Sequence, residues 1–290
     1  MRDLAIYKCP VCGNILQKKD SAYICIKNHT YDIAKEGYVN LLLANQKKTK
    51  APGDCKEMIS SRHRFLSKGY YKKLSQAINN LIIEHIKSRT AADYTILDAG
   101  CGEGYYLDEL YRSVELNNNI TFCGIDISKE AIKQAAKRNQ GIEVAVAGVF
   151  ELPIMNKSVN CLYSIFAPYK EVEFERVLKD NGIIIIVSPG AHHLYGLKKI
   201  LYESPYLNEE NKLTTENLEV INRVKLSYEM VIENAEDISD LMTMTPYYWN
   251  TDILKINEVK SHVSELTTCA EFILTVFQKK LTSPDSGRNQ

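Results

Sequence analysis

Four residues near the N-terminus have the types and spacing to hold a metal ion: Cys9, Cys12, Cys25 and His29, in the pattern C-x2-C-x12-C-x3-H. Zinc takes four thiolate or imidazole ligands at tetrahedral corners, and a two-residue gap lets paired thiolates grip one ion from a tight turn. Gly13 follows the first pair as such a knuckle requires, and "SAYICI" reads as a short strand that delivers Cys25. With every corner filled by protein, the spacing implies a structural ion and leaves no place for water or substrate. Disulfides or free thiols are the competing readings. Neither accounts for the histidine, and the scattered Cys55, Cys101, Cys123, Cys161 and Cys269 fit a reduced, cytoplasmic chain.

A second constellation lies in "YTILDAGCGEGYYLDEL". An apolar strand ends in Asp98, a turn follows with Gly100, Gly102 and Gly104, and a helix begins near Tyr105. Strand, glycine turn and helix in that order make a nucleotide-type cofactor loop, because a glycine lets backbone approach a ligand where a side chain would collide. "TFCGIDIS" supplies a second strand ending in Asp126, placed to accept hydrogen bonds from ribose hydroxyls. A dinucleotide loop would serve a pyrophosphate. Here a carboxylate precedes the glycines, which suits a ligand with an ammonium group and no phosphate: S-adenosylmethionine. "VAVAGVFELPI" is the candidate adenine pocket, with backbone at Ala147 and Gly148 and apolar walls from Ile127 and Leu152. No N-P-P-Y or D-P-P-Y follows the fourth strand, where "SIFAPYKEVE" stands, and no Pro-Cys pair offers a thiolate nucleophile. The economical reaction is direct in-line methyl transfer to a ring nitrogen.

The elements that must hold these residues follow from the pattern. Strand candidates at 142–147, 159–165 and 182–188 alternate with helices at 128–139 and 170–179, the signature of a doubly wound parallel α/β sheet. Late strands in 214–233 and 268–280 suit an antiparallel edge pair, with a helix and turn in "AEDISDLMTMTPYYW" between them. Trp249, Tyr247 and Tyr248 read either as target-pocket lining or as lid packing. The helix starting near Cys55, capped by Asp54, and another over 74–89 form a linker. The expected organisation is a zinc-binding domain at 1–45, a helical linker at 46–90, a methyltransferase domain at 91–281 and a disordered tail at 282–290.

Net charge is zero over 290 residues, but residues 1–73 hold fifteen Lys/Arg against six Asp/Glu and the rest 21 against 30. The basic third is where a polyanion would be drawn, with Arg62 and Arg64 as candidate phosphate ligands or ordinary surface arginines. No apolar run approaches the roughly 18–20 residues of a membrane span, and "MRDLAIYKCP" lacks the apolar core of a secretory signal.

Taken together, "CPVCG", "AKEGYVNLL", "DAGCGEGYY" and "PG..HL..LK" resemble, in order over about residues 7–200, the bacterial large-subunit (23S) ribosomal RNA guanine-N1 methyltransferases. The resemblance implies a zinc domain joined to a class I S-adenosylmethionine-dependent methyltransferase domain, with an RNA stem-loop held in the cleft between them. It maps the metal ligands to Cys9, Cys12, Cys25 and His29. Donor contacts map to Gly102 and Glu103, to Tyr71 from the linker and to His193. An aromatic face beside a sulfonium is attractive, although Tyr71 also reads as an interdomain packing residue. His193 is the candidate proton acceptor or else orients the donor. The resemblance further implies a homodimer. Its two branches differ in which neighbouring guanine is modified, and a Lys-, Ile- and Asn-rich chain points to the branch tied to antibiotic response. Two rival readings remain open: a methyltransferase for a small molecule or protein, and a non-catalytic RNA-binding module.

Overall fold

The computed structural model describes residues 6–46, 49, 52–89, 93–114, 119–209 and 217–280. Most of the cationic loop expected after residue 46 and the tail 282–290 lie outside the described residues. The metal-binding segment forms a small antiparallel sheet from β1 (Leu16–Lys19), β2 (Ala22–Cys25) and β3 (Thr30–Asp32). A further strand, β4 (Tyr38–Asn40), leaves that sheet and a short turn, Ala44–Gln46, follows. The linker holds α1 (Lys56–Ser67) and α2 (Lys72–Lys87). The alternating region follows as β5 (Asp93–Ala99), α3 (Tyr105–Ser113), β6 (Asn119–Asp126), α4 (Lys129–Arg138), β7 (Glu143–Val146), β8 (Val159–Ile165), α5 (Glu171–Val177), β9 (Leu178–Pro189) and α6 (Tyr195–Leu201). The chain closes with β10 (Leu218–Ile232), α7 (Ala235–Thr243), α8 (Pro246–Trp249), α9 (Ile253–His262) and β11 (Leu266–Lys279).

One eight-stranded sheet runs β10-β11-β9-β8-β5-β6-β7-β4. The central strands are parallel, and β11 and β10 are antiparallel, as the late segments suggested. Strand order reverses between β5 and β8, and ligands of open α/β sheets bind beyond the carboxyl ends of the strands at such a point. Both the glycine turn after β5 and "FAPY" after β8 lie there.

The edge beyond β7 was not anticipated. Tyr38, Val39 and Asn40 pair in parallel with Val144, Ala145 and Val146, so the N-terminal segment contributes a strand to the main sheet. A bridge from Tyr7 to Ile154 and a bond from the Lys8 N–H to the Pro153 carbonyl (3.0 Å) stitch the same seam. The apolar core explains why. One face of the sheet is covered by α2, α3 and α4 through Leu74, Ile78, Leu107 and Ile132. The other is covered by α5 through Phe174 and Val177 and by Tyr7, Leu16 and Tyr23 of the metal-binding segment. Between β7 and β8 no described residue is helical, and the metal-binding unit fills the face that a crossover helix would cover.

Candidate active site and metal centre

The four metal ligands meet. Cys9 Sγ and Cys25 Sγ each lie 3.4 Å from His29 Nδ1, and Cys12 Sγ lies 3.7 Å from Cys25 Sγ. Four donors bonded to one zinc ion at about 2.0–2.3 Å stand about 3.3–3.8 Å apart at tetrahedral corners. Two tight turns make this geometry: Gly13, with φ +72°, donates to the Cys9 carbonyl (2.8 Å), and Asn28, with φ +57°, to the Cys25 carbonyl (2.9 Å). The sequence reading missed the outer contacts. Asn14 donates its amide to Cys12 Sγ (3.2 Å) and lowers that thiol to about 6, which favours the thiolate a metal needs. Tyr31 Oη lies 3.2 Å from Cys9 Sγ. Their one signal was position, each two residues beyond a ligand.

At the glycine turn, Gly100 has φ +88°, and a Cβ there would strike that of Ala167 after β8. A Cβ on Gly104 (φ +82°) would come within 2.9 Å of Ala135 in α4. The first glycine therefore admits the loop after β8 to the site, and the last lets α3 close on α4. Asp126 accepts from the Gly102 N–H (3.0 Å) and the Ser128 N–H (2.8 Å), which oppose the upward pKa shift that burial imposes. Asp98 is 1% exposed, and neither of its oxygens has a hydrogen-bond partner. Burial raises its carboxyl well above the ordinary range, with the nearby Tyr163 hydroxyl opposing and Asp126 adding to the shift. A buried carboxylate without a partner is costly unless a cation meets it.

The remaining donor-site candidates divide. Tyr71 and His193 touch, with Tyr71 Oη 3.4 Å from His193 Nε2, and Tyr71 is also edge-on to Phe65 and Phe272. His193 Nδ1 accepts the Glu271 N–H (3.3 Å), which leaves the proton on Nε2. Burial, with the Lys198 ammonium adding, holds His193 down at about 3. Glu103 turns from the glycine turn to pair with Arg138 and with His63 (3.0 Å), while its Oε1 stays buried and unpartnered. Ala147 is buried, and its N–H is spent on the Asp126 carbonyl (2.9 Å). The two expected adenine walls, Ile127 and Leu152, pack in different apolar clusters. Leu152 packs in the cluster under the metal-binding unit, whereas Ile127 packs on the other face of the sheet.

Two expectations for the linker need correction. Asp54 does not cap α1, whose N-cap is Cys55 without a side-chain bond; its carboxylate pairs with Arg62. Arg62 and Arg64 are not free phosphate ligands. Arg64 forks onto buried Asp240 of α7 (2.8 Å from Nε), and Lys68 pairs with buried Asp237. Part of the charge asymmetry thus holds the linker to the acidic body. Arg62 also reaches over the turn, 3.6 Å from where a Gly102 Cβ would lie, a neighbour that sequence reasoning missed.

Comparison with known proteins places this geometry. Residues 7–50 match the family model for a zinc ribbon described as "RlmA, N-terminal", and residues 90–256 match that of a methyltransferase domain. A Bacillus subtilis (strain 168) protein provisionally named 23S rRNA (guanine-N(1)-)-methyltransferase YxjB is 32% identical over 266 residues, 89% of this chain and 92% of its own. The chain belongs to the 23S rRNA (guanine-N1)-methyltransferase family. The 23S rRNA (guanine(748)-N(1))-methyltransferase of Streptomyces fradiae is 26% identical over 93% of this chain and 94% of its own. Family membership fixes the methyl donor as S-adenosylmethionine and the knot as a zinc ribbon, and the residues fit both. The unpartnered Asp98 oxygens answer a cationic donor, and the Cys9, Cys12, Cys25 and His29 atoms, all within 4.8 Å of one another, answer zinc. No helix among the described residues is long and apolar enough to cross a membrane.

Proposed function

We propose that this chain transfers the methyl group of S-adenosylmethionine to N1 of a guanine in a stem-loop of 23S ribosomal RNA. The observation that carries this is the likeness to relatives named for that reaction over nine-tenths of both chains, because it spans zinc unit, linker and methyltransferase domain together. We assign residues 1–45 to the zinc unit, 46–90 to the linker and 91–281 to the methyltransferase domain. Lys18, Lys19, Lys27 and Lys35 are exposed on the zinc unit and supply phosphate contacts, and the seam with β7 holds them at a fixed distance from the glycine turn.

S-adenosylmethionine supplies an electrophilic methyl on a sulfonium. Asp98 faces the donor's ammonium, Asp126 its ribose, and Gly102 lets the backbone approach the donor, in a turn whose Gly100 and Gly104 pack against Ala167 and Ala135. Glu103 stiffens the turn through Arg138, and Ala147 closes the adenine end by backbone. Tyr71 offers a π face and excludes water. His193 orients Tyr71 and the donor. With its Nδ1 lone pair taken and its Nε2 protonated, it does not accept the guanine N1 proton, which passes to solvent as the methyl arrives. The test is label transfer from the methyl-labelled donor to unmodified 23S ribosomal RNA, with small-molecule and protein acceptors alongside. Label in a guanine of the RNA supports the assignment. Label only in another acceptor overturns it.

A further inference from the structure

We propose that Phe166 is the platform on which the target guanine stacks during transfer, an inference that rests on the guanine assignment above. Five described non-glycine residues have positive φ, and three of them (Asp20, Asn28 and Lys157) are polar. The other two, Phe166 (φ +55°) and Leu194 (φ +56°), are apolar and bracket a single contact: the Phe166 ring stacks on His193 at 5.8 Å between centroids and 29° between planes. An aromatic residue held in the left-handed region persists only where its surroundings over-determine it, and such strain collects at functional sites.

Position and exposure point to the ligand. Phe166 directly follows β8 at the point where strand order reverses, and its neighbour Ala167 lies against Gly100 of the donor turn. Phe166 is nevertheless 45% exposed, although its ring contacts His193 and Phe272. A large apolar ring left open beside a donor site, at a backbone cost, offers a face to a planar partner. The chemistry of N1 methylation asks for that kind of grip. The Watson–Crick edge of the base must stay open to the methyl group, so the purine is better held by its face than by edge hydrogen bonds. Stacking on a phenyl ring does this for an unpaired, extruded base.

The experiment compares the full-length protein with its Phe166→Ala, Phe166→Gly and Phe166→Tyr variants. It measures transfer from labelled donor to 23S ribosomal RNA transcribed without modification, donor affinity by calorimetry, and melting temperature. Loss of the ring is expected to lower kcat/KM for the RNA about 10- to 100-fold, with donor affinity near wild type, and Phe166→Tyr is expected to recover most of it. Phe166→Gly relieves the left-handed backbone, so it is expected to melt no lower than Phe166→Ala and yet to be as impaired. RNA kinetics unchanged in both ring-less variants would overturn the proposal, and so would a defect confined to donor affinity. If the wild-type protein transfers no label to any guanine of the RNA, the assignment and the stacking role fall together.

Discussion

Asp98 sets the energetics of the donor site. Its folded-state pKa is raised above the unfolded value, so the folded protein holds a proton that the unfolded chain releases, and this carboxyl costs stability as pH rises through the shifted value. Asp98→Asn is expected to raise the melting temperature at pH 7.5 by a few degrees in thermal scans without donor, and to weaken donor binding at least tenfold by calorimetry. A cationic donor favours the carboxylate, so affinity in the wild type should climb as pH rises through the shifted value, with proton release on binding. His193 makes the opposite prediction. Depressed to about 3 and bonded at Nδ1, it is neutral throughout the working range. His193→Gln should raise the KM for the donor, leave kcat at saturating donor within about threefold, and leave the pH–rate profile unmoved; a tenfold fall in saturated kcat would restore it as the base. Asp98 and the glycines were legible in sequence because strand, acid and turn are a local pattern. Phe166 and the reach of Arg62 over the turn were not, since one is marked by a backbone angle and the other by an approach across forty residues.

At the level of elements, the order of strands could be read from the alternation of apolar runs, and so could the antiparallel pair at the end. The strand β4 could not. Three residues carry no periodicity, and what recruits them is an open sheet edge at β7 together with a sheet face that no crossover helix covers. The linker clamp was likewise hidden, because its acids lie some 170 residues from its bases. Its pairs are lopsided: Asp240 is buried and Arg64 is about half exposed. Arg64→Ala strands a buried carboxylate and should cost about 1–3 kcal/mol, whereas Asp240→Asn leaves only a solvated guanidinium and should cost less; urea titration of both variants checks the asymmetry. The zinc ribbon shares a core with the sheet through Tyr7, Leu16 and Tyr23. Its loss should therefore be felt beyond itself. Chelation, or Cys25→Ser, is expected to lower the melting temperature of the whole protein and to slow methylation of the RNA; an unchanged melting curve would mean that the ribbon and sheet are energetically separate.

Across the whole molecule, the zinc unit, the linker and the donor sheet form one mechanical piece, joined by a backbone seam on one side and by ion pairs on the other. A basic knob fixed to the sheet can set how far bound ribosomal RNA lies from the methyl group, and on the stacking proposal the open phenyl ring beside the donor turn receives the target guanine. Mass mapping of 23S ribosomal RNA from cells with and without the gene tests this most directly. The expected result is one guanine that carries a methyl at N1 only when the gene is present, with the same mark restored on deletion-strain RNA by the purified protein and S-adenosylmethionine. Identical methylation patterns in the two RNAs, or a gene-dependent methyl on any other atom or base, would contradict it.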